Sequence, residues 1–310
     1  VPAVLQQRLL FGPLMVALLV AGLALDEWVN DWPLPDGLAG LLGHETAPPG
    51  VVIFLAVVPL SWLAAIELAA ILRANGIQAS ARVSAAAALV GLVVSCLVPS
   101  EADAVASVAT VSSAAVIVLV GSLLFFSRHQ SFEGVVAAAG GTLLAFVYLG
   151  LMFGFLLALR REHSVWTILW VLMTTKSCDI GAYFVGRAVG RHKLIRWLSP
   201  GKTWEGLVGG VALSAAVGTL GAWALASVGI AGGPGLVIGA AAGVAFGLLG
   251  QVGDLLASLL KRDAGMKDSG HTLPGFGGIL DVLDSPLLVM PAAYWILRFA
   301  PAADLAIPPG

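Results

Sequence analysis

The chain has 310 residues, of which 59% are apolar and only 11% charged, and its mean hydropathy is +0.96; a soluble domain carries about 25% charged residues, so a soluble globule is excluded. Net charge is −2, which offers no bulk attraction for nucleic acid. The two cysteines, Cys96 and Cys178, lie in apolar runs and fit neither a disulfide framework nor a zinc spacing, so they read as packing residues.

Apolar runs near 20 residues recur, the length that crosses a hydrocarbon core of about 30 Å. They are continuous rather than alternating, so the spans are helices and not strands of a barrel. The expected fold is all-α, a polytopic integral membrane protein of about nine transmembrane helices, roughly 9–25, 51–72, 83–98, 105–126, 135–159, 165–186, 204–226, 235–257 and 279–299. The first span has only Arg8 as a basic flank, and "DEWVNDWPLPDG" after it reads as an exterior loop with interfacial Trp28 and Trp32, so it is taken as a retained helix rather than a signal peptide.

Orientation follows from Lys and Arg. With the amino terminus in the cytoplasm, twelve of the sixteen fall inside: Arg8; Arg73 and Arg82; Arg128; Arg187, Arg191, Lys193, Arg196 and Lys202; Lys261, Arg262 and Lys267. Arg160, Arg161 and Arg298 fall outside, and Lys176 lies within a span. The asymmetry obeys the positive-inside rule and turns both long polar loops, 187–203 and 258–278, to the cytoplasm.

The halves differ in kind. Residues 1–160, five spans, are a bland scaffold in which Glu67 is the one acid within a helix; residues 161–310, four spans with the two loops, carry the polar residues expected to do chemistry. Glycines at intervals of four, Gly206 and Gly210, then Gly239, Gly243 and Gly247, read as helix packing.

In the sixth span Lys176, Asp179 and Tyr183 share one helical face, as an ion pair and a phenol that are either functional or a self-neutralising structural set. "GRHKLIRWLSPGKTWEG" contains Gly201-Lys202-Thr203, but a P-loop needs a glycine where Arg196 stands and a preceding strand, so that reading fails. Its basic residues suit anionic lipid headgroups at the inner surface. His44, His129, His163 and His192 have no ligand spacing and stay unassigned, and His271 is only a weak phosphate candidate.

In the eighth span Gln251, Asp254, Ser258 and Lys261 or Arg262 form one polar stripe down an apolar helix. Asp281 and Asp284 share a face at the start of the ninth. Three membrane-embedded acids, each costing about 2.5–3.5 kcal/mol to insert, need positive charge beside them. A divalent cation such as Mg²⁺ supplies it while leaving coordination sites for phosphate; the alternative is an interfacial ion-pair network with Lys261, Arg262 and Lys267. Between them "LPGFGG" gives a turn whose Gly275, Gly277 and Gly278 let backbone N–H groups form an anion nest.

The stretch "SLLKRDAGMKDSGHTLPGFGGILDVLDS", residues 258–285, resembles the signature of the phosphatidate cytidylyltransferases, or CDP-diacylglycerol synthases. "DIGAYFVGR" and "SPGKTWEGLVGG" are similar to further segments of that family, so the resemblance covers roughly 165–300. It implies transfer of a cytidylyl group from CTP to phosphatidate, with Mg²⁺ and an optional second cation such as K⁺, in a homodimer of the bacterial inner membrane with a cytoplasmic active site. By the same resemblance Asp254, Asp281 and Asp284 hold the metal. Lys261, Arg262, Lys267 and Asp268 serve nucleotide and pyrophosphate, with Ser258, Gly275, Gly277 and Gly278 at the CTP phosphates. Ser199, Lys202, Thr203 and Glu205 lie by the lipid phosphate, near Asp179 and Tyr183.

Three positions depart from the family pattern: Phe276 stands where histidine is usual, Val282 where arginine is, and Gly201 where a second lysine often is. Three other readings stay open: a related enzyme acting on another lipid phosphate, a catalytically silent scaffold, and a cation transporter whose intramembrane acids form a pathway.

Overall fold

The computed structural model describes residues 2–42, 45–98, 104–128, 132–230 and 233–300. Helices α1 (Pro2–Val29), α2 (Asp36–Leu42), α3 (Val51–Ala74), α4 (Ala81–Leu97) and α5 (Ala104–Ser127) are followed by α6 (Val135–Ala145), a π-helical segment (Phe146–Leu151) and α7 (Met152–Glu162), which together make one span. Then come α8 (Val165–Val189), a hairpin of β1 (Lys193–Ile195) and β2 (Ser199–Thr203), α9 (Trp204–Ser227), α10 (Leu236–Asp263) and α11 (Ile279–Phe299).

Among the described residues eight helical spans are long and apolar enough to cross a membrane, and the 17-residue α4 is a ninth, shorter apolar helix. The expected all-α membrane fold is therefore the observed one. Large apolar side chains stand exposed along the spans, among them Leu10 and Leu18, Ile117 and Leu124, Val208 and Leu220. Such surface is stable against lipid and a liability in water.

Two compact units divide the chain. The first joins the segment up to Ala158 to Leu260–Leu283; the second joins Leu159–Leu259 to the segment from Asp284 onward. The second polar loop is thus grouped with the amino-terminal helices.

In the first unit α3 begins at Gly50, and the buried Asp26 of α1 accepts hydrogen bonds from the N–H groups of Gly50, Val52 and Ile53, which would otherwise be orphaned. Helix α4 lies against the π-helical segment with backbones in contact: a Cβ at Gly91 would stand 2.7 Å from the Phe146 carbonyl oxygen, and one at Gly150 2.6 Å from that of Ala88.

In the second unit α8 and α9 pack along their length through small residues. A Cβ at Gly206 would meet the Ala182 carbonyl oxygen at 2.8 Å, and one at Gly210 that of Cys178 at 2.5 Å. Gly239 and Gly243 of α10 play the same part against Gly218 and Ser214 of α9. The glycine spacing is helix packing, as expected from a bilayer, where close van der Waals approach replaces the hydrophobic drive.

Candidate active site

Within the second unit the sixth-span polar face and the polar stripe of α10 meet. Gln251 Nε2 donates to Asp179 Oδ1 at 2.7 Å, and Lys176 Nζ donates to Asp179 Oδ2 at 3.4 Å. Lys176 also stands 4.0 Å from Asp284 Oδ1. Asp284 is buried, accepts from the backbone N–H and hydroxyl of Ser285, and is close enough to Asp254 to feel its charge. Glycine makes this approach possible: a Cβ at Gly253 would lie 2.5 Å from the Asp284 carbonyl oxygen.

Asp254 carries a second cation. Lys202 Nζ lies 2.7 Å from Asp254 Oδ2, at ion-pair distance but misaligned for a hydrogen bond, and Nζ has no hydrogen-bond partner. Ser258, one turn along α10, reaches Asp254 Oδ1 at 3.5 Å. Asp179, Tyr183, Arg187, Lys202, Thr203, Gln251 and Asp254 are the polar side chains lining a cavity of about 590 Å³, with Ala182, Gly186 and Gly206 among its small residues. Arg187 donates to the Tyr183 hydroxyl at 2.9 Å. The cavity therefore carries two carboxylates and two cationic side chains.

The hairpin between α8 and α9 is built to hold Lys202. Lys193 pairs with Thr203 and Ile195 with Ser199, Leu198 is buried beneath, and Thr203 caps α9 by accepting from Gly206 N–H at 3.1 Å. Glu205 accepts from the backbone N–H groups of Arg191 and His192 and lies 2.6 Å from His192 Nδ1. Thr203 and Glu205, expected at the lipid phosphate, thus brace the turn that presents Lys202.

The first unit contains the loop 264–278. Lys261 Nζ donates to Asp281 Oδ1 at 2.5 Å, and Asp281 Oδ2 accepts from the N–H groups of Ser269 at 2.8 Å and Gly278 at 2.9 Å. The ion pair weighed from sequence as the alternative to a metal is present at this acid. The glycine turn is tight: Gly275 and Gly277 have φ of 80° and 94°, a region where side chains are disfavoured. Leu273 and Gly277 bridge to each other.

Several donors of the expected anion nest, though not the Gly275 N–H, hold bonds within the chain. The N–H groups of Phe276 and Gly277 go to the Leu273 carbonyl, that of Gly278 goes to Asp281, and those of Ile279 and Leu280 go to Glu67 of α3. The negative charge at the start of α11 comes from within the chain. Arg262, Lys267 and Asp268 are exposed and form no side-chain hydrogen bond or ion pair among the described residues.

Residues 41–300 match the model of the cytidylyltransferase family. The chain belongs to that family. The phosphatidate cytidylyltransferase of Bacillus subtilis (strain 168) is 35% identical over 199 residues, 64% of this chain and 70% of that protein. That of Synechocystis sp. is 44% identical over 121 residues, covering 39% of each chain. That of Brucella suis is 42% identical over 142 residues, 46% of this chain and 50% of that protein. The matched stretch is thus most of the first relative and half or less of the other two.

For a cytidylyltransferase the departures noted in the sequence acquire a setting. The Phe276 ring lies near Gly12 of α1, where an added Cβ would be 3.4 Å from its Cζ, and Arg8 Nε donates to the Gly275 carbonyl at 2.8 Å. Asn75, just past α3, donates to Asp263 at 2.8 Å. Arg8, Glu67 and Asn75 all hold the signature loop and all come from the half expected to be bland. Glu67 carried a signal, as the one acid in an otherwise apolar span; Arg8 and Asn75 carried none. His192 acquires a partner in Glu205, while His44 and His129 lie outside the described residues.

Proposed function

We propose that this chain transfers the cytidylyl group of CTP to phosphatidate, giving CDP-diacylglycerol and pyrophosphate. That its relatives are phosphatidate cytidylyltransferases supports the reading. The observation that carries it is the cavity of about 590 Å³ in which Lys202 faces Asp254, with Lys176 and the buried Asp284 beside them.

Mg²⁺ suits this donor set. The ion is usually held by one or two carboxylates together with substrate phosphates rather than by a complete protein cage, and among the described residues no three His, Cys, Asp or Glu side chains form a ready ligand group. Asp254 and Asp284 would hold it. Asp281, the third aspartate of the resemblance, is bonded within the first unit to Lys261, Ser269 and Gly278. When bound, the metal would neutralise phosphate oxygens and orient the reacting phosphorus.

The reaction is an in-line displacement. A phosphatidate phosphate oxygen forms a bond to the α-phosphorus of CTP as the bond from that phosphorus to the α,β-bridging oxygen breaks, and pyrophosphate leaves with the electron pair. The attacking monoester is anionic at neutral pH, its second pKa being about 6, so no strong general base is needed. Lys202 and Arg187 receive the lipid phosphate, with Ser199, Thr203 and Glu205 keeping the hairpin in place. The exposed Arg262 and Lys267 take the nucleotide phosphates, and Gly275, Gly277 and Gly278 shape the turn that presents Lys267 and Asp268. Catalysis is then positioning and charge neutralisation.

The proposed setting is the bacterial inner membrane, with the amino terminus and both polar loops in the cytoplasm, as a homodimer. The Lys and Arg asymmetry supports the orientation; family resemblance alone supports the dimer and an optional second cation. The test is incubation of purified protein with phosphatidate, CTP and Mg²⁺. Pyrophosphate and CDP-lipid should appear in equal amounts, and their absence in an inserted, folded preparation would overturn the reading.

A further inference from the structure

Glu67 lies about two turns before the end of α3, within its apolar run; it is 7% exposed and both its carboxylate oxygens accept hydrogen bonds. Oε1 accepts from the Thr272 hydroxyl at 2.6 Å and the Ile279 N–H at 3.0 Å. Oε2 accepts from the Ser269 hydroxyl and the Leu280 N–H, each at 2.9 Å. Two of the four donors belong to the first turn of α11, where a negative charge also meets the positive end of the helix dipole. The other two belong to the loop that carries Lys267 and Asp268.

The neighbouring positions are cleared for this side chain. A Cβ at Gly270 would stand 2.8 Å from Glu67 Oε1, and one at Gly278 would collide with Oε2 and with Ser269 Oγ. These two glycines of the signature are therefore explained by Glu67 rather than by a bound phosphate. Ser269 Oγ also lies 3.0 Å from Asp281 Oδ2, so its one proton is shared between two carboxylates, and a continuous polar chain runs from Glu67 through Ser269 and Asp281 to Lys261.

Anchoring α11 would need only the two backbone bonds. The hydroxyl bonds to Ser269 and Thr272 tie the loop as well, and a buried acid is costly in a membrane span unless such donors satisfy it. We propose that Glu67 is a positioning residue for cytidylyl transfer: it locks residues 268–280 so that Lys261 remains on Asp281 and the loop's Lys267 is held ready for the nucleotide. The role in transfer rests on the function proposed above; the locking does not.

Two variants test it in the full-length protein. Glu67→Gln keeps the shape but turns an NH₂ group toward donors, and Thr272→Val removes one bond at an exposed position where folding is safe. Hydrogen exchange of the peptide 268–281, measured without substrates, should quicken about tenfold or more in Glu67→Gln, the scale of one charge-assisted hydrogen bond, and by less in Thr272→Val, while α8 and α9 stay unchanged. In assay, the KM for CTP should rise about tenfold in Glu67→Gln with the KM for phosphatidate nearly constant, since the loop serves the nucleotide. Unchanged exchange in both variants would overturn the locking role. Quickened exchange with both KM values moving equally would overturn the link to the nucleotide. A wild-type protein inactive with CTP and phosphatidate would instead refute the proposed function, and the exchange data would still decide what Glu67 does.

Discussion

Lys202 Nζ and Asp254 Oδ2 lie 2.7 Å apart, joining the hairpin after α8 to the polar stripe of α10. Lys202 Nζ has no hydrogen-bond partner among the described residues, so an incoming phosphate can take the ammonium; in the proposed function Asp254 would then be free to hold Mg²⁺. Both groups line the same cavity.

Lys202→Met should therefore raise the KM for phosphatidate about tenfold or more, the cost of losing one charge-assisted contact, and leave Asp254 with an unpaired charge. Steady-state kinetics with lipid presented in mixed micelles checks this. An unchanged KM would place the lipid phosphate elsewhere.

Asp254→Asn and Asp284→Asn should each lower turnover by about 100-fold or more, as removal of preorganised charge from a reacting centre does. The protein should still insert, because an amide is cheaper in a bilayer than a carboxylate. Mg²⁺ titration of activity in each variant is the measurement; retention of full turnover by both would overturn the proposed metal site.

The pH dependence should come from the substrate. As pH falls below about 6 the phosphatidate dianion gains a proton, its oxygen becomes a poorer nucleophile, and kcat/KM should drop about tenfold per unit. A profile from pH 5 to 8 with this single limb supports attack without a general base. A second ionisation within that range, assigned to the enzyme, would argue against it.

Phe276→His should change the KM for CTP by less than about threefold, since the ring lies beside α1 near Gly12 and a surface-type substitution there removes no charge-assisted bond. Kinetics of the single variant suffice. A large gain in rate would show that the histidine usual in the family acts directly on phosphate.

Gly243→Val should destabilise the second unit by about 1–3 kcal/mol, the usual cost of overpacking, because a Cβ there collides with the Ser214 carbonyl and the backbone of Ala215. Thermal unfolding in detergent reads this directly. A neutral result would mean that α9 and α10 can separate without loss.

Much of this protein is local and so was legible in one dimension. Each membrane span satisfies its own backbone, so length and hydropathy place it without knowledge of neighbours; this is why the expected spans recur, with α4 merely two or three turns shorter than its longest companions. Residues three or four apart share a helical face, so Lys176 with Asp179, Asp254 with Ser258 and the packing glycines could be read directly.

Bonds between distant segments follow no such period. Nothing in the order of residues says that Glu67 would cap a helix that begins 212 positions later, that Arg8 would hold Gly275, or that the N–H groups of Phe276 and Gly277 would both go to Leu273. The sequence by itself determined a helical membrane protein and the residue types for phosphate chemistry, because helical period and bilayer thickness act on each segment alone. Only the tertiary structure decided which acid meets which cation, because that choice depends on where the packed helices leave room for a side chain to reach.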